Sequence, residues 1–172
     1  MPITKPVLEK YVSENFVETG TASGRASMRA LKVGFKKIWT VEKNTNRIKM
    51  CKKRFDGIKN INFYTGDSRE FLRKVIKQIN GSITYWLDAH TNTWSPLLEE
   101  LDIIKENMNE VPIILIDDVS LFGAYRITKK QVKNKLLEIF PDYKISYEDG
   151  KQKNKNGKKK DRKNDLMVAQ LW

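Results

Sequence analysis

Phe16-Val17-Glu18-Thr19-Gly20-Thr21-Ala22-Ser23-Gly24 is the stretch on which the fold turns. An apolar run, expected as a strand over residues 15–18, enters a turn carrying Gly20 and Gly24, and a helical stretch follows. Glycines there let the backbone turn tightly and let a ligand approach the N-terminus of the next helix. The spacing is neither G-x-G-x-x-G nor G-x-x-x-x-G-K, which weakens the dinucleotide and phosphate-loop readings. A strand–turn–helix with no ligand can look the same, so the neighbouring segments decide.

Outward from this turn, strand-like runs recur at 37–42, 60–64, 83–88 and 111–117, separated by amphipathic stretches. Phe71, Leu72, Val75, Ile76 and Ile79 share one helical face, as do Leu97, Leu98, Leu101, Ile104 and Met108. A later helix carries Val132, Leu136, Leu137 and Phe140 and stops at Pro141. Repeated strand–helix–strand units predict a parallel sheet with right-handed crossovers. The last two runs, 143–147 and 166–171, have no helix between them and predict an antiparallel hairpin. The expected fold is α/β: a Rossmann-like doubly wound sheet of five parallel strands plus a C-terminal hairpin, in a single domain over residues 1–172.

Composition bounds the rest. With 40% hydrophobic residues in 172, the chain can bury a real core. The single cysteine, Cys51, excludes a disulfide framework within the chain. No apolar run resembles a signal peptide or a membrane span, so a cytoplasmic location (host cytoplasm for a viral chain) and no membrane partner are expected. Of the net charge of +12, residues 151–163 (KQKNKNGKKKDRK) supply +7, with eight Lys/Arg against one Asp, leaving +5 elsewhere. That segment has no apolar residue and reads as the mobile basic loop of the hairpin. It is either a solvated surface or a grip on nucleic acid, though no aromatics interleave it to stack on bases.

Acids recur at the strand ends. Glu42 closes the second strand, 24 positions after Glu18, where a carboxylate can bind ribose hydroxyls lying across the sheet; capping the helix near Asn44 is the structural alternative. The third strand ends in Gly66-Asp67-Ser68, and Asp67 with Glu70 also fits a capping box. The fourth ends in Leu87-Asp88-Ala89-His90 and the fifth in Ile116-Asp117-Asp118. Carboxylates converging from these ends repel unless protonated, hydrogen-bonded or bridged by a cation. An all-oxygen cluster of Asp88, Asp117 and Asp118 favours Mg²⁺ over zinc. His90, the chain's only histidine, is the candidate base, an incidental role being the alternative.

Taken as a set, FVETGTASG, IWTVE, TGDS, YWLDAH and ILIDDVSLFG resemble class I S-adenosylmethionine-dependent methyltransferases in order and spacing over residues 15–123. They look most like small bacterial and viral members carrying ETGT, GDS, LDAH and IDD signatures. The resemblance implies that the glycine turn holds the methionine moiety, the acid after strand two the ribose, and the GDS aspartate the adenine. Carried onto this sequence, the cofactor-binding residues are Glu18, Gly20, Thr21, Gly24, Glu42, Asp67, Ser68 and Asp88. Asp88 and His90 are then catalytic, and Asp88, Asp117 and Asp118 metal-binding. Ala22 departs from the pattern, since many relatives have glycine there.

The resemblance further implies methyl transfer to an oxygen nucleophile aided by a divalent ion such as Mg²⁺. The N/D-P-P-Y/F motif of adenine-N6 enzymes, a Pro-Cys nucleophile and the twin-glutamate loop of arginine methyltransferases are all missing. The Lys-Asp-Lys-Glu tetrad of ribose 2′-O-methyltransferases cannot be assigned, because strand five ends in Asp117-Asp118 and not in lysine. The favoured acceptor is a small molecule or a sugar hydroxyl. The runner-up is a nucleic-acid methyltransferase or nucleic-acid-binding module using the 151–163 loop, and an NAD-dependent oxidoreductase ranks below it. With no long insertion to form a lid, the acceptor site is expected to be shallow, shared in a homo-oligomer, or closed by the 90–96 and 119–127 loops, which hold Trp94, Phe122 and Tyr125.

Overall fold

Large apolar residues on alternate faces of each strand are what layer this molecule. The computed structural model describes residues 3–153 and 159–171. In it β1 (Asn15–Thr19), β2 (Lys37–Glu42), β3 (Ile61–Thr65), β4 (Ile83–Leu87), β5 (Ile113–Ile116), β6 (Lys144–Lys153) and β7 (Lys159–Gln170) form one seven-stranded sheet. The spatial order is β3-β2-β1-β4-β5-β7-β6; β1 to β5 are parallel and β7 is antiparallel to both its neighbours. This is the Rossmann-like sheet with a terminal hairpin that the sequence predicts.

Successive strand residues face opposite sides. Val17, Val41, Tyr85, Leu87, Ile114 and Ile116 pack beneath α4 (Ser68–Val75), α5 (Leu97–Asn107) and α6 (Lys129–Ile139), meeting Leu72, Leu101 and Leu136. Phe16, Ile38, Trp86, Leu115 and Val168 face α1 (Lys5–Leu8), α2 (Arg25–Val33) and α3 (Thr45–Arg54), meeting Leu8, Ala30 and Cys51. With both faces covered, the central strands read as near-continuous apolar runs. From β1 the chain winds outward to β3, then returns so that β4 lies on the other side of β1. The connections leaving β1 and β4 diverge, and a crevice opens at their C-terminal ends.

The main difference from expectation is the hairpin. The sequence suggests strands that stop near Tyr147 and resume at Leu166, yet the ladder continues through Gly150↔Arg162, Lys151↔Asp161, Gln152↔Lys160 and Lys153↔Lys159. A two-stranded ribbon satisfies much of its backbone hydrogen bonding within itself and needs no apolar side chain, so charge composition could not reveal it. Residues 154–158 of the expected loop lie outside the described residues. A register shift between Glu148 and Gly150 marks a bulge at the base of the ribbon.

The sequence reading also left the N-terminal α1 and the turn Glu9–Tyr11 unassigned. They bury Leu8 and Tyr11, and the Tyr11 hydroxyl donates to Glu148 Oε1 at 2.9 Å. Among the described residues no helix is long and apolar enough to cross a membrane.

Candidate active site

Gly20 sits where the first turn crosses the end of β4. Its φ is +87°, and a Cβ there would lie 2.6 Å from the Asp88 carbonyl oxygen. The Gly20 and Thr21 N–H groups both donate to the Val41 carbonyl, at 3.0 and 2.9 Å, stitching the turn to β2. Ala22 has φ +45°, a conformation that costs a residue with a Cβ roughly 1–2 kcal/mol. A methyl group is tolerated there, under strain. Behind the turn, the Cys51 thiol donates to the Ala22 carbonyl at 3.6 Å.

Glu18 is wholly buried beneath this turn. Its Oε2 accepts hydrogen bonds from Ser27 Oγ and, at 2.7 Å, from Thr40 Oγ1, which also meets Thr21 Oγ1 at 2.6 Å. Burial pushes its pKa up to about 8. Glu18 therefore braces the turn from below as well as lining the cleft. Glu42 stands at the cleft wall, with Oε2 accepting from the Ala22 N–H and Oε1 from the Asn44 N–H, both at 2.9 Å. Asn44, not Glu42, caps α3 by accepting from the Asn46 and Arg47 N–H groups.

Asp67 caps α4 and is gripped side-on by Arg69, through Nε to Oδ1 at 2.8 Å and Nη2 to Oδ2 at 2.9 Å. That guanidinium holds the Asp67 carboxyl down at about 2. Arg69 also donates to Glu99 at 2.7 Å and lies 5.4 Å from the ring centre of Trp94, whose indole is 44% exposed. Gly20, Thr21, Glu42, Asp67, Ser68, Asp88, His90 and Trp94 line a cleft of about 740 Å³. Its size suits a small-molecule or cofactor site.

In this cleft His90 Nε2 stands 3.4 Å from Asp88 Oδ1 and 3.2 Å from Asp118 Oδ2. The two carboxylates push the imidazole up to about 10, so it is charged at neutral pH. Burial raises Asp88 and Asp117. Burial works the same way on Asp118, but His90 and Arg162 together pull it below its ordinary value. The sequence reading expects Asp88, Asp117 and Asp118 as one cluster. The structure joins Asp88 to Asp118 through His90, with ligand atoms within 4.8 Å of one another, and groups Asp117 with Asp118 and Asp165 within the same distance.

Sequence reasoning missed Asp165 and Arg162, because both depend on the register of β7 beside β5. It also missed Glu100, a buried acid on α5 that accepts from Thr19 Oγ1 at 3.3 Å and is raised by burial to about 7. Phe122 and Tyr125, offered as acceptor contacts, are buried, with the Tyr125 ring 5.3 Å from that of His90.

These buried acids carry a pH signature. Glu18 and Glu100, ordinarily at 4.5, hold protons in the folded chain that the unfolded chain releases. Their stabilisation is complete below the ordinary value and is lost as pH rises through about 7 to about 8. Melting followed by circular dichroism should show a midpoint that falls from about pH 5 to about pH 8, less steeply in Glu100→Gln. An identical pH profile in that variant would show that Glu100 does not carry the effect.

No protein-family model matches the chain, and no curated protein matches its sequence. Solved structures do match in fold. The O-methyltransferase TomG from Streptomyces achromogenes superposes with a TM-score of 0.67 at 12% identity, covering 96% of this chain and 76% of TomG. An O-methyltransferase from Bacillus cereus gives 0.65 at 12%, covering 96% and 77%. Precorrin-6y C5,15-methyltransferase from Geobacter metallireducens gives 0.65 at 13%, covering 96% and 84%. The chain has the fold of class I S-adenosylmethionine-dependent methyltransferases.

Proposed function

We propose that this chain is an S-adenosylmethionine-dependent methyltransferase acting on an oxygen nucleophile with the aid of a divalent ion. The observation that carries the reading is a single cleft at the switch point between β1 and β4. It brings the glycine turn, Glu42 and Asp67 together with the Asp88–His90–Asp118 group. In this reading Gly20, Thr21 and Gly24 shape the bed for the methionine moiety, braced by Glu18. Glu42 takes the ribose hydroxyls, and Asp67 and Ser68 face the adenine. Names of two structures alike in fold, both O-methyltransferases, favour oxygen as the nucleophile.

Methyl transfer from a sulfonium is an in-line displacement, so the protein chiefly aligns acceptor oxygen, methyl carbon and sulfur. The S–CH₃ bond breaks as the O–CH₃ bond forms, and the acceptor loses its hydroxyl proton. Asp88, His90 and Asp118, joined through the imidazole at 3.4 and 3.2 Å, can take that proton as a unit. The carboxylate oxygens of Asp88 and Asp118, within 4.8 Å of one another, would also hold Mg²⁺ or Mn²⁺ once His90 gives up its charge. Such an ion, when bound, supplies Lewis acidity toward the acceptor hydroxyl.

Calorimetry with S-adenosylmethionine and with NAD tests the reading: the first should bind and raise the melting midpoint, the second should do neither. Glu42→Ala should weaken binding of the former by about 1.5–3 kcal/mol, the size of a hydrogen bond to a charged group. Equal affinity in wild type and variant would remove Glu42 from the site. Turnover should fall on adding a chelator and return with Mg²⁺; indifference to both would confine the reading to metal-free transfer.

A further inference from the structure

Charge in this chain is sorted by face. Residues 25–59, which build α2, β2 and α3, hold twelve Lys/Arg against two Asp/Glu. One of those two acids, Glu42, is turned into the cleft wall and is 9% exposed. Apart from this stretch and residues 151–163, the chain holds thirteen basic residues against eighteen acidic. The modest net charge outside the hairpin therefore conceals a strongly basic surface on the α2–α3 side of the sheet.

The other side of the sheet shows how charge is handled elsewhere in this molecule. Across α4, α5 and α6, Arg69 pairs with Glu99, Lys105 with Glu138 and Lys135 with Asp102. Signs are interspersed, and each of these cations answers an acid on a neighbouring helix. On α3 the exposed Lys49, Lys52 and Lys53 make no ion pair among the described residues, and neither does Lys59 beyond it. The helix dipole favours cations in the last turn, which accounts for Lys52, Lys53 and Arg54. It does not account for Lys49, for Lys59, or for Arg47 near the N-terminus, where the dipole opposes a cation. Like charges crowded on one face repel, and a bound polyanion relieves that repulsion.

This basic surface is continuous with the cleft. Arg25, Lys43 and Arg47 line the cleft rim. A hollow of about 320 Å³ between α3 and the glycine turn shares Ala22, Ser23 and Arg47 with the cleft and adds Met50 and Arg54. Arg54 donates to the Ser23 carbonyl, which fixes a guanidinium at that junction. Lys36, Lys37 and Lys59 border a further hollow of about 360 Å³ where β2 and β3 begin. Basic side chains thus lead from the cleft rim over α3, about 15 Å long at about 1.5 Å per residue, to the start of β2 and β3.

We infer that the α2–α3 surface is the docking face for a nucleic-acid strand, gripped by its phosphates and led to the cleft rim. A path of cations suits a flexible chain of regularly spaced phosphates. A bilayer fits less well. Between residues 25 and 59 only Met50 and Ile58 are exposed large hydrophobics, while Phe35, Trp39 and Phe55 are buried, so the face offers no aromatic anchor for insertion. The same burial leaves bases no stacking platform, so RNA and DNA strands should bind alike, with little sequence preference. The inference goes beyond the methyltransferase reading, and Asp88, His90 and Asp118 take no part in it.

The test compares the full chain with two variants of equal charge. One carries Lys49→Gln, Lys52→Gln and Lys53→Gln together; the other carries Lys74→Gln, Lys77→Gln and Lys130→Gln, on the opposite side of the sheet. Single-stranded RNA and DNA oligonucleotides of mixed sequence are titrated by fluorescence anisotropy across a salt series. The wild type should bind both. The α3 variant should show a log K against log salt slope shallower by about 2, from three lost phosphate contacts at about 0.7 each. The opposite-side variant should keep the wild-type slope, and all three proteins should share one melting midpoint, since the six lysines are exposed. Equal loss of slope in both variants would reduce the effect to net charge and overturn the inference. So would an unchanged slope in the α3 variant, no binding by the wild type at about 50 mM salt, or tighter binding to phosphatidylserine vesicles than to either oligonucleotide.

Discussion

His90→Gln should lower the rate of methyl transfer by about 10²–10⁴-fold, the span associated with losing a positioned proton-transfer group. Affinity for S-adenosylmethionine should stay within about threefold, since the turn, Glu42 and Asp67 do not depend on the imidazole. The reason lies in the charges. His90 stands between Asp88 and Asp118 at 3.4 and 3.2 Å and is held in its charged form by them. Glutamine retains a donor of similar reach but no charge, leaving two half-neutralised carboxylates to repel across it. Single-turnover assays with labelled cofactor give the measurement. A variant keeping more than about a tenth of the rate would remove His90 from the chemistry. A matching loss of cofactor affinity would make it a binding residue.

Gly20→Val is expected to act on fold and site together. The substitution forces a β-branched residue into φ +87° and drives its Cβ toward the Asp88 carbonyl, 2.6 Å away, with the carbonyl carbon at 3.0 Å. Neither neighbour is a flexible side chain, so β1 and β4 must part where they pair Thr19 with Leu87. Backbone strain and clash together should cost about 3 kcal/mol or more, lowering the melting midpoint by roughly 6–12 °C in a chain of this size. Binding of S-adenosylmethionine should fall below detection. Gly34→Val provides the contrast: φ is +105° there, but nothing lies within 4 Å of the added Cβ, so strain acts alone. Equal losses in the two variants, with cofactor binding retained in both, would show that the approach to Asp88 is unimportant.

What could be read from residues alone follows from which interactions are local. The turn after β1 announces itself because its glycines answer a local backbone demand, a positive φ at Gly20 and Gly24. The parallel sheet was legible because its buried strands and amphipathic helices repeat with their own periods. The acids at the ends of β2 to β5 were legible because strand ends in such a sheet converge. Asp165 and Arg162 were not, since nothing near them in sequence refers to Asp118; only the antiparallel register of β7 brings them there. Glu100 stayed hidden in an amphipathic pattern, where an acid reads as a solvent-facing residue until packing shows it buried against Thr19. The ribbon was misread because pairing of backbone to backbone leaves no trace in side-chain composition.

The thiol behind the glycine turn makes this chain its own reporter. Cys51 is the chain's single cysteine; it is buried, burial raises its pKa, and its thiol donates to the Ala22 carbonyl. A reagent that alkylates thiolates reaches it only when the turn and α3 part, so the labelling rate counts local openings of that segment and not global unfolding. Opening frequency at the wall of the cleft thus becomes a clock that runs without added dye or engineered residue, and any occupant that clamps the turn slows it.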